Sequence, residues 1–127
     1  MKLGYTLMFV ENVPTTMNFY STAFGLEKAF LHESGQYGEM KTGETKLGFV
    51  DHQTAASHGF PYIRSTDSTN PPGIEIGLIT NEVGTAFERA IQAGAKVVSE
   101  PKLKPWGQMV AYVLDCNGFL VELCSPM

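Results

Sequence analysis

The feature that most constrains this chain is that it runs through one pattern twice. Residues 3 to 10 are apolar or β-forming throughout, with Leu3, Tyr5, Leu7 and Phe9 alternating against Thr6, Met8 and Val10, which is a strand covered on both faces. Asn12 caps the next segment, Pro14 suits a first helical turn, and Val13, Met17, Tyr20 and Phe24 recur at helical spacing until Gly25 stops the helix. Three strands are expected next, near 26 to 32, 36 to 42 and 45 to 51, divided by Ser34-Gly35 and Gly43-Glu44. The order then begins again. Residues 74 to 80 form a strand, Thr80 or Asn81 caps a helix whose Val83, Phe87, Ala90 and Ile91 share a face, and Gly94 stops it. Strands near 95 to 100, 108 to 115 and 119 to 125 complete the second copy, the last two joined by a turn at Cys116-Asn117-Gly118.

Laying one copy on the other sets Tyr5 on Glu75 at an offset of 70, Gly25 on Gly94 at 69, and Gly48 on Glu122 at 74. Repeated units of this size each leave an apolar face that only the other can cover, which implies a pseudo-twofold arrangement. The expected fold is therefore α+β: two βαβββ modules, residues 1–51 and 74–127, form a cupped, partly closed mixed sheet with the helices outside. Residues 52–73 hold Ser, Thr, Asn, Gly and three prolines without periodicity, and read as a long loop of the kind that carries function in a compact domain.

Composition removes several classes of function. At 127 residues the chain is one domain by length, and it buries enough surface to need no disulfide or metal staple. Its net charge of -4 is spread along the sequence, and its nearest approach to a basic cluster is Lys102 and Lys104, so nucleic acid is not an expected partner. Cys116 and Cys124 make no CxxC pair, and neither has a basic sequence neighbour to activate a thiolate. No apolar run reaches the roughly 18 residues a membrane span requires, and the N-terminal apolar run ends at Glu11 before a signal core is complete. A reducing cytoplasm is the expected setting.

Two strings at matching ends of the repeat carry a resemblance. F-Y-S-T-A-F-G-L-E after the first strand resembles F-Y-x-x-x-L-G, and D-C-N-G-F-L-V-E-L at the end resembles D-P-D-G-x-x-x-E. Together with two βαβββ modules they resemble the vicinal oxygen chelate superfamily, which groups glyoxalase I, bleomycin-resistance proteins, fosfomycin-modifying enzymes and extradiol dioxygenases. The resemblance implies a homodimer and, in metal-binding members, one ligand from the first and one from the last strand of each module. Carried onto this chain, those positions are Tyr5, Gly48, Glu75 and Glu122. Only Glu122 keeps the expected residue type. Glycine offers no donor and a neutral tyrosine is a poor ligand, so Glu75 and Glu122 remain as weak ligands for a hard cation such as Mg or Mn.

Glu122 stands among Leu120 and Cys124 on an otherwise apolar face, where an unpaired charge is costly. Glu75 shares its face with Gly77, whose missing side chain leaves room beside it. Close approach of the two would leave one holding a proton. Tyr5, Trp106, Tyr112 and Arg64 are the candidate pocket-lining residues, Arg64 because it shares the long loop with Phe60 and Tyr62 and suits an anionic ligand. His52 and His58 of that loop are expected to be solvated. Two readings are open. In the first, the chain binds a small organic molecule between its modules without a complete metal site, as in the bleomycin-resistance type. In the second, Glu75 and Glu122 hold a cation with water or a loop histidine, and the chain is a glyoxalase-like lyase, isomerase or dioxygenase.

Overall fold

The computed structural model describes residues 1–127, and its elements follow the repeat. The first module is β1 (Tyr5–Val10), α1 (Val13–Phe24), β2 (Lys28–Leu31), β3 (Tyr37–Met40) and β4 (Lys46–Asp51); a short helix α2 (His52–Ala56) comes after it. The second is β5 (Glu75–Ile79), α3 (Val83–Gln92), β6 (Lys96–Leu103), β7 (Met109–Leu114) and β8 (Leu120–Cys124). Two four-stranded mixed sheets result, ordered β1-β4-β3-β2 and β5-β8-β7-β6. In each, the first and last strands of the module pair in parallel and the others are antiparallel. Tyr5 faces Lys46 across β1 and β4, and Glu75 faces Leu120 across β5 and β8, so the offsets of 70 and 74 that align the sequence also align the two registers.

The apolar alternation explains the layering. Met8, Val10, Leu47 and Phe49 point to the α1 side, where they bury Met17 and Tyr20. In the second module Val113, Val121 and Leu123 do the same against Phe87 and Ala90 of α3. Ala23 of α1 belongs to the second module's core, which joins the modules through their helices. Strands β1 and β5 lie side by side at the junction, since Thr6 and Ile76 line the same clefts.

The start and stop of α1 follow its sequence. The Asn12 side chain accepts from the Thr15 N–H at 2.9 Å, and Gly25 adopts φ +69° with its N–H donating to Ser21 O at 3.0 Å. Arg89 of α3 reaches across and donates from Nε to Thr22 O at 2.8 Å, covering carbonyls that α1 cannot satisfy. A Cβ at Gly25 would lie 2.8 Å from Arg89 Nη1 in a left-handed conformation, so Gly25→Ala is expected to cost about 1–2 kcal/mol in urea unfolding.

Apart from shifts of up to three residues at strand ends, two assignments differ from expectation. Residues 52–73 are not loop throughout: Asp51 accepts from the Thr54 N–H at 2.8 Å and starts the five-residue α2, a local cap too short to register as periodicity. Neither Thr80 nor Asn81 is the cap of α3. Glu82 takes that place without a side-chain bond, and Thr80 Oγ1 instead accepts from Glu82 N at 3.1 Å.

Candidate functional site

The face of the sheets turned away from the helices carries the polar side chains. On the second module Glu122 of β8 stands between Tyr112 of β7 and Gly77 of β5. Tyr112 donates its hydroxyl to Glu122 Oε2 at 2.7 Å. The other oxygen, Oε1, faces the gap over Gly77, 4.0 Å from where a Cβ would be. Glu75, two residues before Gly77 on the same face, is exposed at the start of its strand. What burial it has, and then the charge of Glu122 nearby, raise its pKa. No Lys, Arg or His pairs with either carboxylate. The hydrogen bond to Glu122, then burial, pushes the Tyr112 phenol up to about 12, so it is a neutral donor near pH 7. The structure thus brings together three of the residues singled out from the sequence: Glu75, Glu122 and Tyr112.

The equivalent positions of the first module are built differently. Gly48 takes the place of Glu122, and Glu39, 73 residues before Tyr112, takes the place of that tyrosine. Glu39 is buried and satisfied: Tyr37 donates to its Oε1 at 2.9 Å, and Lys46 Nζ lies 3.4 Å from its Oε2. Burial and then Glu39 push the Tyr37 phenol up to about 12. Lys46 Nζ also stands 5.8 Å from the centre of the Tyr5 ring, placing Tyr5 on this half of the face as a cation–π partner. Sequence reasoning missed Tyr37, Glu39 and Lys46, although extending the overlay of Gly48 on Glu122 by one strand would have set Glu39 on Tyr112.

Trp106 lies elsewhere. It sits at the tip of the β6–β7 hairpin, 60% exposed, donating Nε1 to Gln108 Oε1 at 2.9 Å, and it lines none of the main clefts. Arg64 lines a cleft beneath the long loop, between β1 and β5. That cleft adjoins the carboxylate face without containing it, since Leu120, the register partner of Glu75, forms part of its wall. His52 is buried rather than solvated: α2 turns it inward, where its Nδ1 meets the Tyr62 hydroxyl at 2.8 Å. Burial, and then the charge of Arg64, lower its pKa. Cys124 is a buried thiol pushed up to about 11, chiefly by that burial, which does not favour a nucleophilic role.

The four positions that the resemblance marks for metal ligands do not make up a ligand set. Gly48 supplies no donor, and the space it would use is filled: a Cβ there would come within 2.7 Å of Leu7 Cδ2 and 3.3 Å of Gly38 O. Tyr5 is turned to Lys46. No three His, Cys, Asp or Glu side chains converge anywhere in the chain in a way that could hold an ion. What the site offers is two uncompensated carboxylates, a phenol held as donor to one of them, and an open acceptor oxygen.

Comparison with known proteins agrees with the architecture. The model of the Glyoxalase/Bleomycin resistance protein/Dioxygenase superfamily matches residues 2–123. "Uncharacterized protein YraH" of Bacillus subtilis is 23% identical over 124 residues, covering 97% of both chains. A glyoxalase/bleomycin resistance protein/dioxygenase family enzyme from Burkholderia phytofirmans superposes with a TM-score of 0.84 at 19% identity, covering 100% of both chains. TioX from Micromonospora sp. ML1 superposes with a TM-score of 0.75 at 18% identity, again over 100% of both. No helix is long and apolar enough to cross a membrane. With its two βαβββ modules and a family match spanning nearly all of its length, the chain belongs to the Glyoxalase/Bleomycin resistance protein/Dioxygenase superfamily.

Proposed function

We propose that this protein binds a small organic molecule on the face between its modules without a metal, and that the molecule presents a cationic, hydrogen-bond-donating group to Glu75 and Glu122. The observation that carries this reading is the pairing of two carboxylates on one sheet face with no cationic side chain beside them. In the first module the corresponding carboxylate, Glu39, has Lys46. In the second, no side chain of the protein supplies a counter-charge, which leaves that place to a cationic ligand. The pKa of Glu75 is raised first by its burial and then by the charge of Glu122 beside it. An amidinium or ammonium placed against Glu75 and the open Oε1 of Glu122 relieves the repulsion and makes charge-assisted bonds. The tyrosines Tyr112 and Tyr5 supply aromatic surface on either half of the face. Binding of this kind needs no bond-making step.

Benzamidine and its neutral analogue benzamide separate the readings. Titration followed by NMR is expected to show benzamidine binding about tenfold more tightly, with Glu122→Gln removing most of that preference. Equal affinities, or a preference that survives Glu122→Gln, would overturn the cationic ligand. Stoichiometric binding of Mn that is lost in Glu122→Ala would replace this reading with the metal-dependent lyase or dioxygenase.

A further inference from the structure

We propose that the cleft beneath the long loop is a second ligand site, separate from the carboxylate face, that takes a small apolar molecule ending in a carboxylate. The cleft holds about 210 Å³, the liquid volume of roughly seven water molecules, which suits a ligand with one ring or a short chain. Its walls are Leu7 and Phe9 of β1, Ile74 and Ile76 at the start of the second module, and Leu120 of β8. Nine of its thirteen lining residues are hydrophobic, and Arg64 is the single charged one. An apolar body with one anionic end matches that lining.

The state of Arg64 strengthens the assignment. The chain has two arginines, and they are used differently. Arg89 commits its guanidinium to the carbonyls of Thr22 and Ser21 at 2.8 and 3.4 Å. Arg64 donates no side-chain hydrogen bond within the protein. Its one charged partner is Glu11, 3.7 Å away and 76% exposed, a weak pair that a better-placed carboxylate can displace. The loop holds Arg64 in place on both sides. Before it, Tyr62 packs edge-on to Phe9 at 4.9 Å and its hydroxyl meets the buried His52; after it, Ser65 is buried. The loop backbone is held on both sides of Arg64, and its half-exposed guanidinium, with no hydrogen bond to give up, can turn its fork of donors to a carboxylate at the rim of the apolar cleft. Tyr62 also lines the cleft and is partly buried there.

The test uses the intact chain, with phenylacetate and its neutral analogue phenylacetamide as probes and the methyl resonances of Leu7, Ile74, Ile76 and Leu120 as the readout. Phenylacetate is expected to shift these methyls and to bind about tenfold more tightly than phenylacetamide. Arg64→Met should erase the preference, Arg64→Lys should keep part of it, and Glu11→Gln should tighten phenylacetate severalfold by removing the competing carboxylate. Glu122→Gln should leave it unchanged, which keeps the outcome independent of the ligand proposed for the carboxylate face. Equal affinity for the two probes, no methyl shift with either at millimolar concentration, a preference that survives Arg64→Met, or one that is lost in Glu122→Gln would each overturn the site.

Discussion

Asp115→Ala is expected to destabilise the protein by about 2–4 kcal/mol, among the largest effects of any single substitution outside the apolar core. Asp115 is 5% exposed in the turn between β7 and β8. Its Oδ1 accepts from the N–H groups of Asn117 and Phe119 at 2.8 and 2.9 Å, and its Oδ2 accepts from the Tyr20 hydroxyl at 2.6 Å. Tyr20 belongs to α1 of the first module and is fully buried, so this carboxylate ties the first helix to the last hairpin. Alongside it, Asn117 Nδ2 donates to Thr16 Oγ1 of the same helix at 3.0 Å. Removing the carboxylate leaves the buried Tyr20 hydroxyl with only the Met8 sulfur at 3.9 Å, and leaves the N–H of buried Asn117 and of part-buried Phe119 without that acceptor, each carrying a desolvation cost. Tyr20→Phe removes the bond to Asp115 and the weak one to the Met8 sulfur while leaving the two backbone donors paired, and should cost less, about 1–2 kcal/mol.

The pH dependence gives this prediction a second handle. Burial raises the Asp115 pKa, and the hydrogen bonds from Tyr20, Phe119, Asn117 and Gly118 pull it only partly back. A carboxyl whose pKa is higher folded than unfolded binds its proton more tightly in the folded state. Its contribution to stability is therefore full below the unfolded value near 4 and is lost as pH rises through the higher folded value. Urea unfolding of the native chain and of Asp115→Asn, from pH 4 to pH 7, isolates this group among the thirteen Asp and Glu. The difference in stability between them should move in favour of Asn as pH rises. A difference that is flat across that range would show that the hydrogen bonds balance burial, and one that moves the other way that they outweigh it.

Asp115 also marks where sequence reading succeeded and where it stopped. The string D-C-N-G-F was visible as a turn at the end of a repeat, and the repeat was enough to place both sheets, because a period of strand, helix and three strands has few ways to bury its apolar faces. That Asp115 spans 95 residues to Tyr20 was not visible, since both lie in short-range motifs that read completely without each other. The same division holds at the candidate site. Alternation put Glu75 and Glu122 on one face, and the structure has them there with Tyr112. Spacing could not show that Glu39 is neutralised by Lys46 while Glu122 has no cation, because charge pairing across strands depends on register between elements rather than on position within one. Nor did it separate Trp106, which sits on a hairpin tip, from the pocket residues. The helix α2 was missed for a simpler reason: five residues are too few to show a period, and only the Asp51 cap signals it.

Gly48→Glu, which would restore a carboxylate at one of the four family ligand positions, is expected to cost about 2–4 kcal/mol rather than to complete a metal site. The new Cβ would meet Leu7 Cδ2 at 2.7 Å, Gly38 O at 3.3 Å and Tyr37 Oη at 3.4 Å. Leu7 Cδ2 ends a flexible side chain and can move, but Gly38 O is backbone of the neighbouring strand and cannot yield easily. The new carboxylate would also stand directly across the ladder from Glu39, which is 9% exposed and already shares Lys46. Like charges facing each other across a strand pair are unfavourable, and partial burial increases the penalty. The two contributions can be separated by unfolding measurements on Gly48→Ala, which carries only the steric part, and on Gly48→Glu combined with Glu39→Gln, which removes the repulsion. Gly48→Ala should lose about half as much stability as Gly48→Glu, and Glu39→Gln should recover part of the remainder. If Gly48→Glu instead leaves stability unchanged and confers stoichiometric Mn binding, then the first module can still supply a ligand, and the glycine is the sole obstacle to a metal. The expected result places the obstacle in the whole Tyr5, Leu7, Tyr37, Glu39 and Lys46 cluster, which occupies the first half of the face with its own closed set of contacts, whereas the second half keeps two carboxylates that no cationic side chain pairs.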